Sequence, residues 1–148
     1  MLSNSCKYGI RSIIYIALNN LVEERKIGIK EISQELNLPT PFLGKILLKL
    51  AKCNLLISTK GPHGGFLLSR PASEISLFDI IEVIDGTLLF EDCLIGLSTC
   101  SSRAHNDLQC PIHDKYLPIS NQLKSLFKTE TIENLATEIK SSGGKIGL

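Results

Sequence analysis

A chain of 148 residues, 43% apolar and 21% charged, has the size and composition of one compact domain, or of a small domain with a dimerisation arm. No run approaches the ~18 uninterrupted apolar residues of a membrane span, and Met1-Leu2-Ser3-Asn4-Ser5-Cys6-Lys7 lacks the basic-then-apolar pattern of a signal peptide, so the expectation is a cytoplasmic protein with no membrane partner. The net charge of +1 hides an asymmetry: residues 1–75 carry ten Lys/Arg against five Asp/Glu, and residues 76–148 carry six against ten. Unless this is ordinary scatter, the basic half suits phosphates and the acidic half should be kept off them.

The first predicted element is a helix. Ile10, Ile13, Ile14, Ala17, Leu18 and Leu21 follow the spacing of one buried face, and Glu23-Glu24-Arg25-Lys26 with Gly28 end it. A short helix follows with Ile29, Ile32 and Leu36 inward, broken by Asn37-Leu38-Pro39. Thr40-Pro41 then reads as an N-cap and a first-turn proline. Leu43, Ile46, Leu47 and Leu50 form the core stripe of this third helix, and Phe42, Gly44, Lys45, Leu48 and Lys49 face the other way. Two short helices joined by a tight turn, the second with outward lysines, form a helix-turn-helix pattern.

Leu55-Leu56-Ile57-Ser58-Thr59-Lys60 and Phe66-Leu67-Leu68-Ser69-Arg70 flank Gly61-Pro62-His63-Gly64-Gly65, a hairpin by its turn chemistry. A hairpin directly after such a helix is a wing, with Lys60 and His63 near its tip. Lysines neutralise phosphates and release counterions, while the start of the third helix reaches base edges. The candidate DNA-binding residues are therefore Thr40, Phe42, Lys45, Lys49, Lys60 and His63. Thr40 has the competing role of N-cap, and Phe42 either meets a thymine methyl or belongs to the core.

Pro71 closes this unit. Ser76 and Asp79 resemble a capping box ahead of a short helix with Leu77, Ile80, Ile81 and Ile84, stopped by Gly86. Residues 88–109 have weak periodicity, and an irregular stretch of this length is often functional. Ile112, Tyr116, Ile119, Leu123 and Leu126 then step at heptad spacing, suited to a partner helix in a dimer or to the helix's own domain. Pro118 predicts a kink or a later helix start. Thr131 caps a last helix through Ile139, and 141–148 reads as a frayed tail.

The cysteine count is five, and the reducing interior argues against a disulfide framework. Cys6 and Cys53 stand apart and are expected to be small buried hydrophobes. Cys93 and Cys100 lie in the irregular stretch and Cys110 directly follows it, and three unrelated buried thiols are the alternative to a metal or redox centre. With His113 they make a Cys₃His set, compatible with structural zinc, though without a short Cys-x₂-Cys knuckle. Metal-free thiol oxidation is a further reading. His105 reads as solvated.

The segment from Ile29-Lys30-Glu31-Ile32-Ser33 through Phe42-Leu43-Gly44-Lys45-Ile46-Leu47 to Gly61-Pro62-His63-Gly64-Gly65-Phe66, followed by the cysteine triad, resembles the Rrf-two type of bacterial winged-helix regulators over residues 1–136. The resemblance implies a mainly α fold with a small β-hairpin wing and a long C-terminal dimerisation helix. It divides the chain into a winged helix-turn-helix (1–71), a short helix with a cysteine-bearing sensor loop (72–110), a dimerisation helix with a terminal helix (111–140) and the tail (141–148). It implies a homodimer, a repressor by expectation, on a partly palindromic double-stranded operator. It also implies a [2Fe–2S] or [4Fe–4S] cluster on Cys93, Cys100 and Cys110, sensing iron–sulfur status, nitric oxide or redox stress and readily lost in air during purification. The spacing Cys-x₆-Cys-x₉-Cys is looser than is usual in the family. Cys110-Pro111-Ile112-His113 resembles the Cys-x-x-His arrangement of iron–sulfur members and makes His113 the first candidate for the fourth ligand, ahead of Cys6. A protein-interaction module using Phe42 and Leu48 is the rival from another class. No nucleophile–base pair, paired carboxylates or phosphate loop marks an enzyme, since no helix follows the wing glycines.

Overall fold

The computed structural model describes residues 2–20, 25–91, 95 and 111–143. Among them the order is α1 (Asn4–Asn20), α2 (Ile29–Glu35), α3 (Thr40–Lys52), β1 (Leu56–Thr59), β2 (Gly65–Leu68), a 3₁₀ turn (Ala72–Glu74), α4 (Leu77–Ile84), α5 (Leu88–Glu91), α6 (His113–Thr129) and α7 (Ile132–Ser141). This is a mainly helical fold with one antiparallel hairpin, in which Leu56 pairs with Leu68 and Thr59 with Gly65.

The core gathers where α1, α2, α3, α4 and α7 meet. Ile13, Ile16, Ile32, Leu43, Leu47, Leu50, Ile80 and Ile132 are fully buried in it. Helical periodicity accounts for the α3 stripe as expected, Leu43, Ile46, Leu47 and Leu50. The α1 face is rotated from the expected one. Ile16 and Cys6 are buried while Ile10 and Leu18 stay at its margin, because α1 is clasped on several sides. Ser12 is buried in α1, and its hydroxyl is satisfied by donating to the Tyr8 carbonyl at 2.7 Å. Gly9 is buried where α1 meets α4, and a Cβ there would crowd the tip of the Ile84 side chain.

Two long-range bridges frame the wing unit. Ile27 exchanges both backbone bonds with Phe66, at 3.0 and 2.9 Å, and so adds a one-residue strand to the hairpin. Ser76 bridges Thr131, with Leu77 N donating to Glu130 O and Ile132 N to Ile75 O, each at 2.9 Å. The second bridge delivers α7 onto α1, where Ile132 and Ala136 are buried.

Local capping follows the sequence at two places. Ser76 and Asp79 form the reciprocal capping box of α4, and Thr131 Oγ1 accepts from Asn134 N at 3.2 Å to start α7. Gly86, at φ +82°, ends α4. The irregular stretch expected from residue 88 begins instead with the turn of α5, held by Phe90 N donating to Thr87 O at 2.9 Å. The later helix start expected at Pro118 is not found: α6 begins at His113 and runs through Pro118. The carbonyl that Pro118 leaves without a partner belongs to Asp114, and both residues are exposed, so water can satisfy it.

α6 lies against α4 and α5 through a small aromatic cluster. Phe90 packs with Phe78 at 5.7 Å and Phe127 at 6.0 Å between centroids. The ammonium groups of Lys124 and Lys128 sit over the Phe78 ring at 5.8 and 5.0 Å. Ser120 is buried and donates to the Phe90 carbonyl at 3.1 Å. Among the described residues the apolar side chains on the flank of this face have no such cover: Ile119 is 61% and Leu126 52% exposed, and Leu123 is also exposed.

Candidate nucleic-acid interface

α2 and α3 meet through a turn whose residues suit it. Asn37 takes a left-handed conformation at φ 52°, which asparagine tolerates. Asn37 N and Leu38 N then donate back to Gln34 O at 3.2 Å and Ser33 O at 2.9 Å. Arg11 of α1 reaches the Leu36 carbonyl at 3.3 Å and closes the end of α2. The turn corrects the expected cap: Pro39, not Thr40, is the N-cap of α3, and Pro41 lies in the first turn. Thr40 Oγ1 is drawn 2.8 Å from Ser33 Oγ instead of bonding the helix backbone.

Four of the six expected DNA-binding residues lie on α3 and two at the wing tip. Lys45 is exposed on the outer face of α3. Phe42 is 41% exposed and packs one edge against Tyr8, with centroids 5.9 Å apart at 87°, so it is half committed to α1. Leu48, 49% exposed, continues that face. Lys49 is exposed, but its Nζ donates to the Ile84 carbonyl at the end of α4, 3.1 Å away. That carbonyl belongs to the negative end of a helix, a favourable place for an ammonium group.

The wing tip is set by backbone demands. Gly61 has φ +107°, a conformation that favours glycine, and Gly64 N donates to Gly61 O at 2.9 Å. Gly65 must be small for another reason, since a Cβ there would lie 2.6 Å from Ile27 O. Lys60 and His63 are both exposed at this tip. Lys26 and Lys30 add exposed ammonium groups on either side of Ile27. Sequence reading passed over them because nothing in the helical pattern links that stretch to the hairpin.

Two arginines of the first half are paired with carboxylates of the chain itself. Arg25 forms a two-pronged pair with Glu31 at 2.6 and 3.0 Å. This pairing holds the Glu31 carboxyl below its usual range. Tyr15 donates to the same carboxylate at 3.3 Å, and burial followed by the Glu31 charge pushes the Tyr15 phenol up. Arg70 pairs with Asp79 at 3.1 Å and so joins the wing to the α4 cap.

Of the expected metal ligands, Cys93, Cys100 and Cys110 lie outside the described residues. His113 is the first residue of α6 and is half-buried. Cys6 is fully buried beside Ile81 and Phe90, as expected of a small hydrophobe. Burial, and next the Asp85 charge, push its thiol up to about 12. It is therefore a poor source of thiolate, and its candidacy as a ligand weakens. The expectation of a buried Cys53 is overturned: it is exposed, because it sits at the C-cap of α3 just before Asn54 turns the chain with φ 57°. No helix among the described residues is long and apolar enough to cross a membrane.

A helix-turn-helix followed by a glycine-tipped hairpin, with ammonium groups on the second helix and the tip, defines a winged-helix protein. A family model described as an iron-dependent transcriptional regulator, Rrf2, matches residues 2–138. A putative HTH-type transcriptional regulator of Aquifex aeolicus is 34% identical over 133 residues, covering 90% of this chain and 89% of that protein. The HTH-type transcriptional regulator IscR of Cereibacter sphaeroides is 28% identical over 87 residues, 59% of this chain and 56% of that protein. Among solved structures, CymR, the global cysteine regulator of B. subtilis, superposes with a TM-score of 0.75 at 23% identity, covering 93% of this chain and 97% of that one. IscR of T. potens gives 0.74 at 18% identity, covering 96% and 90%. The chain belongs to the Rrf2 family of DNA-binding transcriptional regulators.

Proposed function

We propose that the chain acts as a homodimeric repressor that reads a partly palindromic operator with α3 and the wing, and senses through an iron–sulfur cluster on Cys93, Cys100 and Cys110. The observation that carries the DNA half is the outer face of α3: Lys45 stands exposed beside Phe42 and Leu48, on the helix that follows the turn. In this reading Thr40 and Phe42 meet base edges, and Lys45 meets phosphate. Lys49 does so when it leaves the Ile84 carbonyl. Lys60 and His63 enter the minor groove beside each half-site, where lysine fills a narrow groove less well than arginine. The dimer is supported by the uncovered apolar flank of α6. Burying what remains exposed of Ile119 and Leu126, 61% and 52%, against a second copy stabilises by about 1–2 kcal/mol per side chain.

The sensor half rests on donor chemistry and on the iron-dependent description of the family model. Three thiols are soft ligands suited to iron–sulfur binding, and His113 at the start of α6 is the fourth candidate. Cys93, Cys100 and Cys110 would hold such a cluster, which when bound would supply a reactive iron. The chain's own contribution is mechanical. The thiol-bearing stretch joins α5 to α6, and the α5–α6 contact through Phe90, Ser120 and Phe127 passes any change to the flank proposed for dimerisation.

Anaerobic purification followed by visible absorption and iron, sulfide and zinc analysis tests the sensor. Iron and sulfide in equal amounts, lost in a Cys93/Cys100/Cys110 triple alanine variant, support it. Stoichiometric zinc, or neither metal with thiols that oxidise reversibly, would assign a zinc-dependent or thiol-redox regulator instead. Equal operator affinity of the intact and triple-alanine proteins would rule out coupling.

A further inference from the structure

The turn between α2 and α3 holds two hydroxyls in contact, and proton counting fixes their polarity. Ser33 is buried, and its Oγ donates to the Leu38 carbonyl at 2.5 Å. The same Oγ lies 2.8 Å from Thr40 Oγ1. A hydroxyl has one proton to give and two lone pairs to offer, whereas a carbonyl oxygen only accepts. The Ser33 proton is therefore committed to Leu38. The contact between Ser33 and Thr40 is then a hydrogen bond only when Thr40 donates.

The single hydroxyl proton of Thr40 thus points inward. Pro39 serves as the N-cap, so Thr40 Oγ1 is not spent on the helix backbone either. Thr40 is half-exposed as a residue, and what its oxygen has left to offer outward is lone pairs alone. A threonine hydroxyl on DNA ordinarily takes either role with bases. Here it cannot donate to a phosphate oxygen, nor to guanine O6 and N7 or thymine O4, all of which only accept. It can accept from the amino groups of adenine N6 and cytosine N4.

We propose that Thr40 is an acceptor-only reader. At one position of each half-site it selects a base that displays a major-groove amino group, adenine or cytosine, over guanine and thymine. Ser33 is the positioning residue that sets this polarity without reaching DNA itself. The proposal rests on α3 being the DNA-reading helix, and it adds what that helix prefers at its first residue.

The test is selection from a random duplex library by the full chain and its Thr40→Val, Thr40→Ser and Ser33→Ala variants, with salt titrations alongside. The expected result is a wild-type preference for adenine or cytosine, on the order of three- to ten-fold for one hydrogen bond. Thr40→Val erases it at that position alone, and Thr40→Ser keeps it. Ser33→Ala frees the Thr40 proton and admits guanine or thymine there. The dependence of binding on salt stays the same in all three, because no phosphate contact changes. Should Ser33→Ala fail to fold, the valine and serine variants still decide. Guanine or thymine preferred by the wild type at the Thr40-dependent position overturns the proposal. So does a selection profile that Thr40→Val leaves unaltered. A library from which the wild type selects nothing, together with a salt dependence untouched by Lys45→Ala, overturns the DNA-reading role of α3 and the proposal with it.

Discussion

Replacing Gly65 by alanine should loosen the wing by an amount the structure allows to be worked out. The new Cβ would lie 2.6 Å from Ile27 O and 2.8 Å from Ile27 C, about 0.8 Å inside ordinary contact with the carbonyl oxygen. These are backbone atoms with no rotamer to swing, so the Ile27 segment must back away. Its two bonds to Phe66, at 3.0 and 2.9 Å, then stretch out of hydrogen-bonding range. Two such bonds contribute about 1–3 kcal/mol together. Alanine restricts the unfolded chain and returns about 0.4–1 kcal/mol. The net loss is about 1.5 kcal/mol, which in a domain of this size lowers Tm by roughly 3–6 °C. Urea or thermal unfolding measures the loss, and amide exchange should show reduced protection at Ile27 and Phe66. Stability within about 0.5 kcal/mol of wild type, the ordinary scatter of surface substitutions, with both amides still protected, would refute the close-approach argument.

Asp79→Ala removes the two bonds that Ser76 N and Oγ donate to its carboxylate and the Arg70 pair, and leaves the backbone bond from position 79 to Ser76 Oγ. It should cost about 1–2 kcal/mol in denaturant titrations. Cys6, with its thiol at about 12 against 9.0 in the free chain, keeps its proton folded and loses it unfolded. Its contribution is fully present below pH 9 and is lost as pH rises towards 12. Cys6→Val should remove that part of the alkaline decline. Lys49→Ala should flatten the salt dependence of DNA binding less than Lys45→Ala does, because Lys49 must first leave the Ile84 carbonyl. Leu126→Lys, placed in the uncovered flank of α6, should yield a monomer by light scattering while the helix content by circular dichroism is unchanged.

What was legible in the sequence is what short-range chemistry dictates. The α3 stripe, the Ser76–Asp79 box, the Thr131 cap and the glycine-tipped hairpin all depend on residues within a few positions of one another. The misses depend on distant partners. Ile27 is a strand of one residue with no periodicity to betray it, and only its pairing with Phe66 makes it one. Lys49 read as an outward cation because the position of the α4 terminus is a tertiary fact. Cys53 was expected inside on the general habit of cysteine, but the end of α3 left it outside. Thr40 satisfied the local rule for an N-cap, yet the buried Ser33 hydroxyl offered a better partner. The thiol triad remains a reading of composition and spacing, as its residues lie outside those described.

The most direct test of the account is the salt dependence of binding to duplex DNA for the wild type, Lys45→Ala and Lys60→Ala. A basic recognition helix that meets phosphates and a cationic wing tip in the minor groove should give a steep line of log affinity against log salt. Each substitution removes one cation from each subunit, two per dimer, and should reduce the slope by about 1.8. Three superimposable lines would contradict the assignment of this face to DNA.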